Sequence, residues 1–329
     1  MRTLRFHHAG EPLDILRLEE AQPPQPAPGQ IRAAVEACTI NPADLALCRG
    51  LYPGELPRGV GLEVAGTVDA IGEGVTGIQL GDAVFGPAPF TGPPAGASDH
   101  AVLDIWFPRP PALEPAAAVA LPMAVETAQL GLDLLGITPD TTLLVSGGGA
   151  TTGFAAVQLA RRSGARVITT AGPSHAEALR ATGAEVTPYG KGMAERVREL
   201  AGGPVDVVLD VSPPDDATIP ELLRTVTDPQ HILTISNLAP ARELGARDAF
   251  TEGPLSRRYD VIGECAQLAA EGHFGIPVAR IIPLADWREA IELSQSQRPG
   301  GKLVLQIGRP PNPDKNEPAA GRGLGTTAM

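Results

Sequence analysis

The sequence predicts an α/β protein in which a doubly wound parallel sheet is carried between two parts of a second, mainly β domain. Three observations predict this arrangement. The first hundred residues contain short β-like runs between Pro and Gly clusters, the middle alternates apolar strands with helix-length segments, and residues 302–307 form a last apolar strand after a helix. A chain of 329 residues is long enough for two domains of ordinary size.

Residues 1–114 are predicted to form the first part of the β domain. Its candidate strands are residues 31–37, 66–71 and 83–85, and no helical period dominates between them.

Residues 115–276 are predicted to form the parallel-sheet domain. An Ala-rich helical stretch leads to strand 142–145, a glycine-rich turn and helix 154–162, which together make a βα unit. Further strands are expected at 166–170, 205–210 and 232–236. Each is apolar on both faces, as a sheet covered by helices requires.

Residues 277–308 contain an amphipathic helix, 286–294, and the strand 302–307, which we expect to return to the first domain. The tail, 309–329, is rich in Pro, Gly and polar residues and cannot bury enough apolar surface to offset the entropy of ordering it. We therefore expect the tail to be disordered.

Composition excludes several classes of partner. A formal charge of −12 without Lys/Arg runs argues against nucleic acid. The first twenty residues lack a signal-type apolar core, and no stretch approaches the roughly 20 apolar residues that a membrane helix needs. We expect a cytoplasmic enzyme that acts on a small molecule. Cys38, Cys48 and Cys265 lack CxxC spacing and are interpreted as ordinary thiols.

A glycine-rich turn joins strand 142–145 to the following helix. In this position, backbone N–H groups and the helix dipole can hold a pyrophosphate, although a tight turn without a ligand has the same pattern. Ala150 stands where the middle glycine of G-x-G-x-x-G is usual, and its methyl group could crowd the site. The candidate cofactor-binding residues of the turn are Gly148, Gly149, Ala150, Thr151, Thr152 and Gly153.

The second strand ends at Thr170 and is followed by Gly172, where an NAD-binding unit would carry Asp or Glu. Without that carboxylate, a 2'-phosphate meets no repulsion, so we predict NADPH rather than NADH. No Arg or Lys stands at the strand end. The nearest candidates to bind the phosphate, each of which could instead be a plain surface residue, are Ser174, His175, Tyr189 and Lys191.

Several short motifs follow one another in a characteristic order. On these motifs, the chain resembles the quinone oxidoreductase and enoyl reductase branch of the medium-chain dehydrogenase/reductase superfamily over residues 1–308. The resemblance implies a Rossmann-type nucleotide domain inserted in a GroES-like substrate domain, and a homodimer. The motifs are Asn41-Pro42-Ala43-Asp44, Gly50-Leu51-Tyr52-Pro53, Gly61-Leu62-Glu63-Val64-Ala65-Gly66, Gly81-Asp82-Ala83-Val84-Phe85-Gly86, the helix Ala-Val-Gln-Leu-Ala from Ala156, and Gly301-Lys302-Leu303-Val304-Leu305.

The glycine turn and the later Gly-Pro-Ser-His loop also resemble those of stand-alone, trans-acting polyketide enoyl reductases, where the middle glycine is likewise replaced. This likeness implies a role in polyketide or other secondary metabolism, with a carrier-protein-bound substrate as one option.

Zinc is not expected. In zinc-dependent relatives, a Cys stands in place of Asn41, a His in place of Leu62, and four further Cys hold a structural zinc. This chain has none of these ligands.

The resemblance implies that Asn41, Asp44 and Tyr52 face the cleft, with Tyr52 as hydrogen-bond or proton donor. It also places Thr127 beside the nicotinamide or its phosphate. Lys302 is a candidate for cofactor phosphate. The alternatives are structural: a turn at Asn41-Pro42, a helix cap at Asp44, loop packing by Tyr52, a helical Thr127 and a solvated Lys302.

The leading hypothesis is NADPH-dependent reduction of an α,β-unsaturated carbonyl, whether a quinone, an enone or an enoyl thioester. Ser212-Pro213-Pro214 stands where the family has a Gly near the nicotinamide, and Asp228-Pro229-Gln230-His231 replaces a Pro-Gly-Gly turn. These departures, with Ala150, motivate a second hypothesis, a cyclase, isomerase or lyase with a degenerate cofactor cleft. A catalytically silent binding protein is the third.

Overall fold

The computed structural model describes residues 1–89, 95–252, 257–297 and 299–308. The predicted disordered tail, 309–329, lies outside these ranges.

The first part of the chain folds into two β sheets. A small sheet has the order β2-β1-β4, and the larger sheet has the order β15-β16-β3-β5-β6-β8, with β7 also paired to β3. The predicted β domain is confirmed, although β1, β2, β4, β7 and β8 were not predicted. The elements of this part are β1 (Arg2–Phe6), α1 (Pro12–Ile15), β2 (Arg17–Glu20), β3 (Ile31–Ile40), α2 (Pro42–Cys48), β4 (Arg58–Gly59), β5 (Glu63–Ile71), β6 (Ala83–Pro87), β7 (His100–Leu103) and β8 (Phe107–Pro108).

The middle of the chain forms a six-stranded parallel sheet with the order β11-β10-β9-β12-β13-β14. Leu143, Leu144 and Val145 in β9 have no exposed surface, because helices cover both faces of the sheet. The elements are α3 (Pro115–Ala118), α4 (Pro122–Leu135), β9 (Thr142–Ser146), α5 (Thr151–Arg162), β10 (Arg166–Thr170), α6 (Pro173–Ala181), β11 (Glu185–Thr187), α7 (Met193–Ala201), β12 (Val207–Asp210), α8 (Thr218–Leu223), β13 (Ile232–Thr234), α9 (Leu238–Leu244), β14 (Arg247–Asp248) and α10 (Ile262–Ala270).

This strand order is that of a Rossmann fold, as predicted. The order reverses between β9 and β12, and open α/β sheets bind ligands in the crevice outside the carboxyl ends of the strands at such a reversal. The fold therefore places the glycine turn after β9 and Ser212 after β12 on the two sides of this crevice.

The chain returns to the first domain through β15 (Val278–Pro283), α11 (Trp287–Gln295) and β16 (Lys302–Gln306). As predicted, the last strand joins the first domain, and it does so by pairing antiparallel with β3. β3 continues beyond the predicted end at residue 37 because its last residues pair with β16, a partner from the other end of the chain.

Residues Pro115–Leu135 are long and apolar enough to cross a membrane by length and composition, with a mean hydropathy of 1.3, which the sequence analysis did not anticipate. However, 61% of the most apolar window is buried inside the protein. Val125, Ala128 and Leu132 pack in the core of the parallel-sheet domain, so this segment forms core helices.

The three cysteines are free and buried, as expected for ordinary thiols.

Candidate active site

The glycine turn begins directly after β9. Gly147 has a φ of 88°, and Ala150 donates its N–H to the Gly147 carbonyl at 2.9 Å before α5 begins. The first intrahelical bond runs from the Phe154 N–H to the Ala150 carbonyl, so the N–H groups of Thr151 and Thr152 have no intrahelical acceptor. These two donors, at the positive end of the helix dipole, are suited to a pyrophosphate.

Two glycines of the turn leave no room for a side chain. A methyl group at Gly153 would lie 2.2 Å from the Gly147 carbonyl oxygen, and one at Gly148 would lie 2.0 Å from Thr169 Oγ1. Thr170 braces the same turn, because its Oγ1 accepts from the Gly147 N–H and its carbonyl from the Gly148 N–H, both at 2.9 Å. Both glycines are therefore required by the close packing of the turn on itself and on β10, where Thr170 is buried.

Of the candidates for a 2'-phosphate, His175 lies beside the glycine turn. The His175 ring lies against Gly149, where an added methyl group would be 3.2 Å from His175 Cδ2. His175 Nε2 is buried and has no hydrogen-bond partner among the described residues. A buried polar atom without a partner is uncommon in folded proteins, which marks this nitrogen as a candidate ligand contact.

Gly172 is the N-cap of α6. A methyl group added at Gly172 would lie 3.6 Å from Cε1 of the exposed Tyr189 ring. Both line a surface cavity of about 530 Å³, together with Arg180, a cation that sequence reasoning did not select. Ser174 and Lys191 are exposed, and the Lys191 backbone is held by Arg196, whose Nη1 donates to the Lys191 carbonyl at 3.0 Å.

A buried hydrogen-bond network forms the other wall of the crevice. The Asp210 carboxylate, at the end of β12, accepts from the Ser212 and Thr234 hydroxyls and from Asn237 Nδ2, each at 2.7 Å. A methyl group at Gly147 would be 2.7 Å from Ser212 N, so the Ser212 turn packs directly on the glycine turn. Ser212, which stands where the family has a Gly, is therefore held in a defined conformation.

Asn41 lies in a second buried network, within the first domain. Its Nδ2 donates to Thr39 Oγ1 at 2.9 Å and to Glu63 Oε2 at 3.0 Å, and its Oδ1 accepts from Lys302 Nζ at 2.8 Å. Both amide hydrogens are used, so Asn41 can offer a ligand only the remaining lone pair of Oδ1.

The position of Lys302 corrects both sequence interpretations. Its ammonium is neither solvated nor at the glycine turn. The residue is only 3% exposed, and Nζ lies 2.5 Å from Glu63 Oε2 as well as bonding to Asn41. Because β16 pairs with the end of β3, Lys302 is brought beside the first domain's polar residues instead of the phosphate turn.

Asp44 has no exposed surface, so it does not face the cleft as the resemblance implied. Its carboxylate caps α2 by accepting the Asn41 N–H at 2.8 Å and also accepts the Gly61 N–H at 2.6 Å. Burial raises the pKa of Asp44 to about 7, and these two N–H groups oppose the rise. The helix-cap interpretation is the one observed, and Asp44 positions Asn41.

Tyr52 and Thr127 are the most accessible of the candidates for contact with substrate or nicotinamide. Tyr52 is 41% exposed, and its carbonyl accepts a hydrogen bond from Arg58 Nη1. Thr127 is partly exposed on α4, and its hydroxyl donates to Glu126 Oε2 at 3.2 Å.

The residues in place of the zinc ligands do not suit a metal. Leu62 is an apolar side chain buried in the core, and the Asn41 amide and the Glu63 carboxylate are already paired with the Lys302 ammonium, which would repel a cation. Among the described residues, no group of three or more His, Cys, Asp or Glu side chains is placed to hold a metal ion.

Sequence reasoning missed Glu63, whose Oε2 accepts from three side chains and whose Oε1 accepts the Met123 N–H of α4 at 2.7 Å. The carboxylate therefore joins the two domains. A signal was present, because Glu63 is a charged residue within an apolar run. Asp210 and Asn237 were missed as well, since their partnership connects two loops 27 residues apart.

A β domain around a six-stranded parallel nucleotide-binding sheet defines the two-domain dehydrogenase class. Comparison with protein families agrees. Residues 27–101 match the alcohol dehydrogenase GroES-like domain, and residues 179–305 match the zinc-binding dehydrogenase family. The chain belongs to the medium-chain dehydrogenase/reductase superfamily, a superfamily of oxidoreductases.

Relatives and solved structures refine this placement. The chain is 32% identical to phthioceranic/hydroxyphthioceranic acid synthase from Mycobacterium tuberculosis over 86% of its own length, and 31% identical to erythronolide synthase EryA2 from Saccharopolyspora erythraea over 87%. It spans only 14% and 8% of these two synthases. The structure of the quinone oxidoreductase from Coxiella burnetii is similar with a TM-score of 0.78 and 25% identity, covering 94% of this chain and 99% of that one.

Proposed function

We propose that the chain is an NADPH-dependent reductase of an α,β-unsaturated carbonyl, whether a quinone, an enone or an enoyl thioester, and that it works without zinc. The observation that carries the proposal is the glycine turn. The N–H groups of Thr151 and Thr152 at the start of α5 have no intrahelical acceptor and suit a dinucleotide pyrophosphate, at the strand-order reversal where such cofactors bind.

Preference for NADPH is supported by the groups around the end of β10. No carboxylate directly follows Thr170, while the His175 ring, whose Nε2 is unpaired, lies against Gly149, and the Tyr189 ring lies against Gly172. Ser174 and Lys191 are exposed and are part of the same proposal. These groups would hold a 2'-phosphate, and the neighbouring cavity offers the Arg180 guanidinium beside the carboxylate of Glu177.

Each candidate side chain has a distinct role in this proposal. A bound nicotinamide would supply the hydride. Tyr52 donates a hydrogen bond to the substrate carbonyl as negative charge develops on its oxygen, and the spare lone pair of Asn41 Oδ1 accepts from the cofactor. Glu63, Lys302 and Asp44 hold Asn41 in place.

The polyketide synthases among the relatives support a role in secondary metabolism and a carrier-protein-bound substrate. A carrier protein holds its acyl group as a thioester. Of the three acceptors proposed above, a carrier-bound substrate is therefore the enoyl thioester. A cytoplasmic location and a homodimer are part of the same proposal and rest on resemblance.

The experiment that tests the function is a substrate panel. The purified chain is incubated with NADPH and a short 2-enoyl thioester, an enone or a para-quinone, and both NADPH oxidation and the product mass are followed. The proposal predicts oxidation of one NADPH for each product that has gained two hydrogens. The proposal would be contradicted if NADPH were not oxidised with any of the three acceptor classes.

A non-redox enzyme on the same scaffold is the second candidate. It is favoured by Ala150 in the phosphate turn and by the Ser212 turn packed on Gly147. This candidate predicts that neither nicotinamide cofactor binds and that a substrate is cyclised, isomerised or cleaved without cofactor.

A further inference from the structure

The first turns of α4 lie at the crevice between the two domains. Leu135, at the end of α4, lines the same surface cavity as Val207, at the start of β12, and Gly131 packs on Leu209. The helix therefore runs from the carboxyl edge of the sheet to its amino edge. Since a helix rises about 1.5 Å per residue, Thr127 lies roughly 6 Å from Gly131 towards the carboxyl edge.

Glu126 and Thr127 form a coupled pair at this edge. Glu126 is only 3% exposed, whereas Thr127 is partly exposed, and the Thr127 hydroxyl donates to Glu126 Oε2 at 3.2 Å. Arg257 Nη1 lies 3.6 Å from Glu126 Oε1, so one carboxylate oxygen faces a cation and the other faces the hydroxyl. The buried carboxyl is thus connected to the surface through Thr127.

Burial raises the pKa of Glu126, while Arg257 and the Thr127 hydroxyl oppose the rise. The half-buried Tyr259 phenol is hydrogen-bonded to Arg257, and burial raises its pKa too. A carboxyl group in these surroundings keeps its proton at a higher pH than an exposed glutamate does.

The other charged and titratable groups around α4 are engaged with different partners. Asp133 pairs with Arg258, which also pairs with Asp260. From β12, Asp210 bonds to Ser212, Thr234 and Asn237, and from α10, Glu264 pairs with Arg162 beside the buried Cys265. Among the described residues, Arg257 and the Thr127 hydroxyl are the groups that oppose the effect of burial on the pKa of Glu126.

We propose that Glu126 and Thr127 form a proton relay that delivers the proton required by the reduction. When Glu126 is ionised, the Thr127 hydroxyl donates to it. When Glu126 is protonated, the bond reverses, and the Thr127 hydrogen is free to point into the crevice. Thr127 is the donor to the substrate, and Glu126 is the source of the proton.

The step balances and rests on the proposed function. The β-carbon of the substrate gains a hydride from a reduced nicotinamide, and the α-carbon forms a C–H bond with the Thr127 proton. The Thr127 oxygen takes the Glu126 proton in return, and the electron pair of the broken O–H bond stays on the Glu126 carboxylate beside Arg257. Water then restores the proton to Glu126.

The first test reads the carboxyl directly and does not need turnover. Infrared difference spectra of the full chain are recorded during a pH titration, with E126Q to assign the band and E264Q, at an exposed glutamate, as the matched control. We expect a carboxylic acid band that titrates with a midpoint above the usual glutamate pKa of about 4.3. This band should be absent in E126Q and present in E264Q. In R257Q, its midpoint should move to higher pH. If the carboxylic acid band is still present in E126Q, Glu126 is not the proton store.

The second test measures reduction of the acceptor found for the proposed function. E126Q and T127V each lower kcat by roughly 100-fold, T127S retains most of it, and the double variant is no slower than either single variant because the two groups act as a unit. E126Q also loses the decline of kcat at high pH. The dissociation constant for NADPH stays unchanged in E126Q.

The outcomes separate the two proposals. If the unmodified chain reduces no acceptor, the proposed function fails, and the relay's reaction fails with it. If the unmodified chain is active and E126Q retains the rate and pH profile of E264Q, the relay alone is overturned.

Discussion

The Lys302 ammonium and the Glu63 carboxylate, 239 residues apart in the chain, lie 2.5 Å from each other and are almost completely buried. Glu63 also accepts the Met123 N–H, so this ion pair lies where the first domain meets α4 of the nucleotide domain. It also fixes the side chain of Asn41, which bonds to both partners.

Removing one partner of this pair leaves a buried charge without compensation. K302M and E63Q should each reduce the free energy of unfolding by roughly 3–5 kcal/mol, while the double variant loses less than the sum of the two. Chemical denaturation of the four proteins measures this. Additive losses would show that the two groups do not depend on each other.

Asp44 should make stability depend on pH. The pKa of Asp44 is about 7 in the folded chain and 3.8 in the unfolded reference, so between these values the folded state binds more protons. The contribution of Asp44 to the free energy of unfolding therefore falls as the pH rises from about 4 to about 7, by up to about 1.4 kcal/mol per unit, and does not change further above pH 7.

The matched variant for this effect is D44N, which cannot ionise. Its free energy of unfolding, subtracted from that of the unmodified chain at each pH, isolates the contribution of Asp44. A difference that does not change between pH 4 and 7 would contradict a raised pKa.

The glycine turn should not tolerate a side chain at Gly153. G153A places a methyl group 2.2 Å from the Gly147 carbonyl oxygen, so the turn must shift. We expect a loss of stability of roughly 1–3 kcal/mol and at least tenfold weaker NADPH binding. G275A, where an added methyl group meets nothing within 4 Å, is the control and should bind NADPH normally. Equal binding by both variants would argue against a phosphate at this turn.

Selectivity for NADPH should depend on His175 and Lys191. H175A and K191A should each weaken NADPH binding by about tenfold, as the loss of a hydrogen bond to a charged group does, and leave NADH binding unchanged. R17Q, which removes an exposed cation from the first domain, should affect neither. Parallel loss of both cofactors in H175A would indicate damage to the turn rather than loss of a phosphate contact.

The parallel sheet and the glycine turn could be predicted because their signals are local. Strand 142–145, the turn and the following helix are adjacent in sequence, and the apolar character of each strand reports burial on both faces. Helix α5 begins at Thr151 rather than at Phe154, since the first turn of a helix carries little apolar signal.

The polar networks could not be predicted in the same way. Glu63 obtains its partners from positions 39, 41, 123 and 302, which meet only after β3, β5 and β16 have paired. Lys302 was therefore interpreted as a phosphate ligand or a solvated residue, and the resemblance placed Asp44 in the cleft. Both belong to the support of Asn41.

The most direct test of the proposed function is titration of the purified chain with NADPH and, separately, NADH, followed by nicotinamide fluorescence and calorimetric heat. We predict saturable binding of NADPH and at least tenfold weaker binding of NADH. Absence of binding by either cofactor up to millimolar concentration would contradict the reductase proposal and favour cofactor-free chemistry in the same crevice.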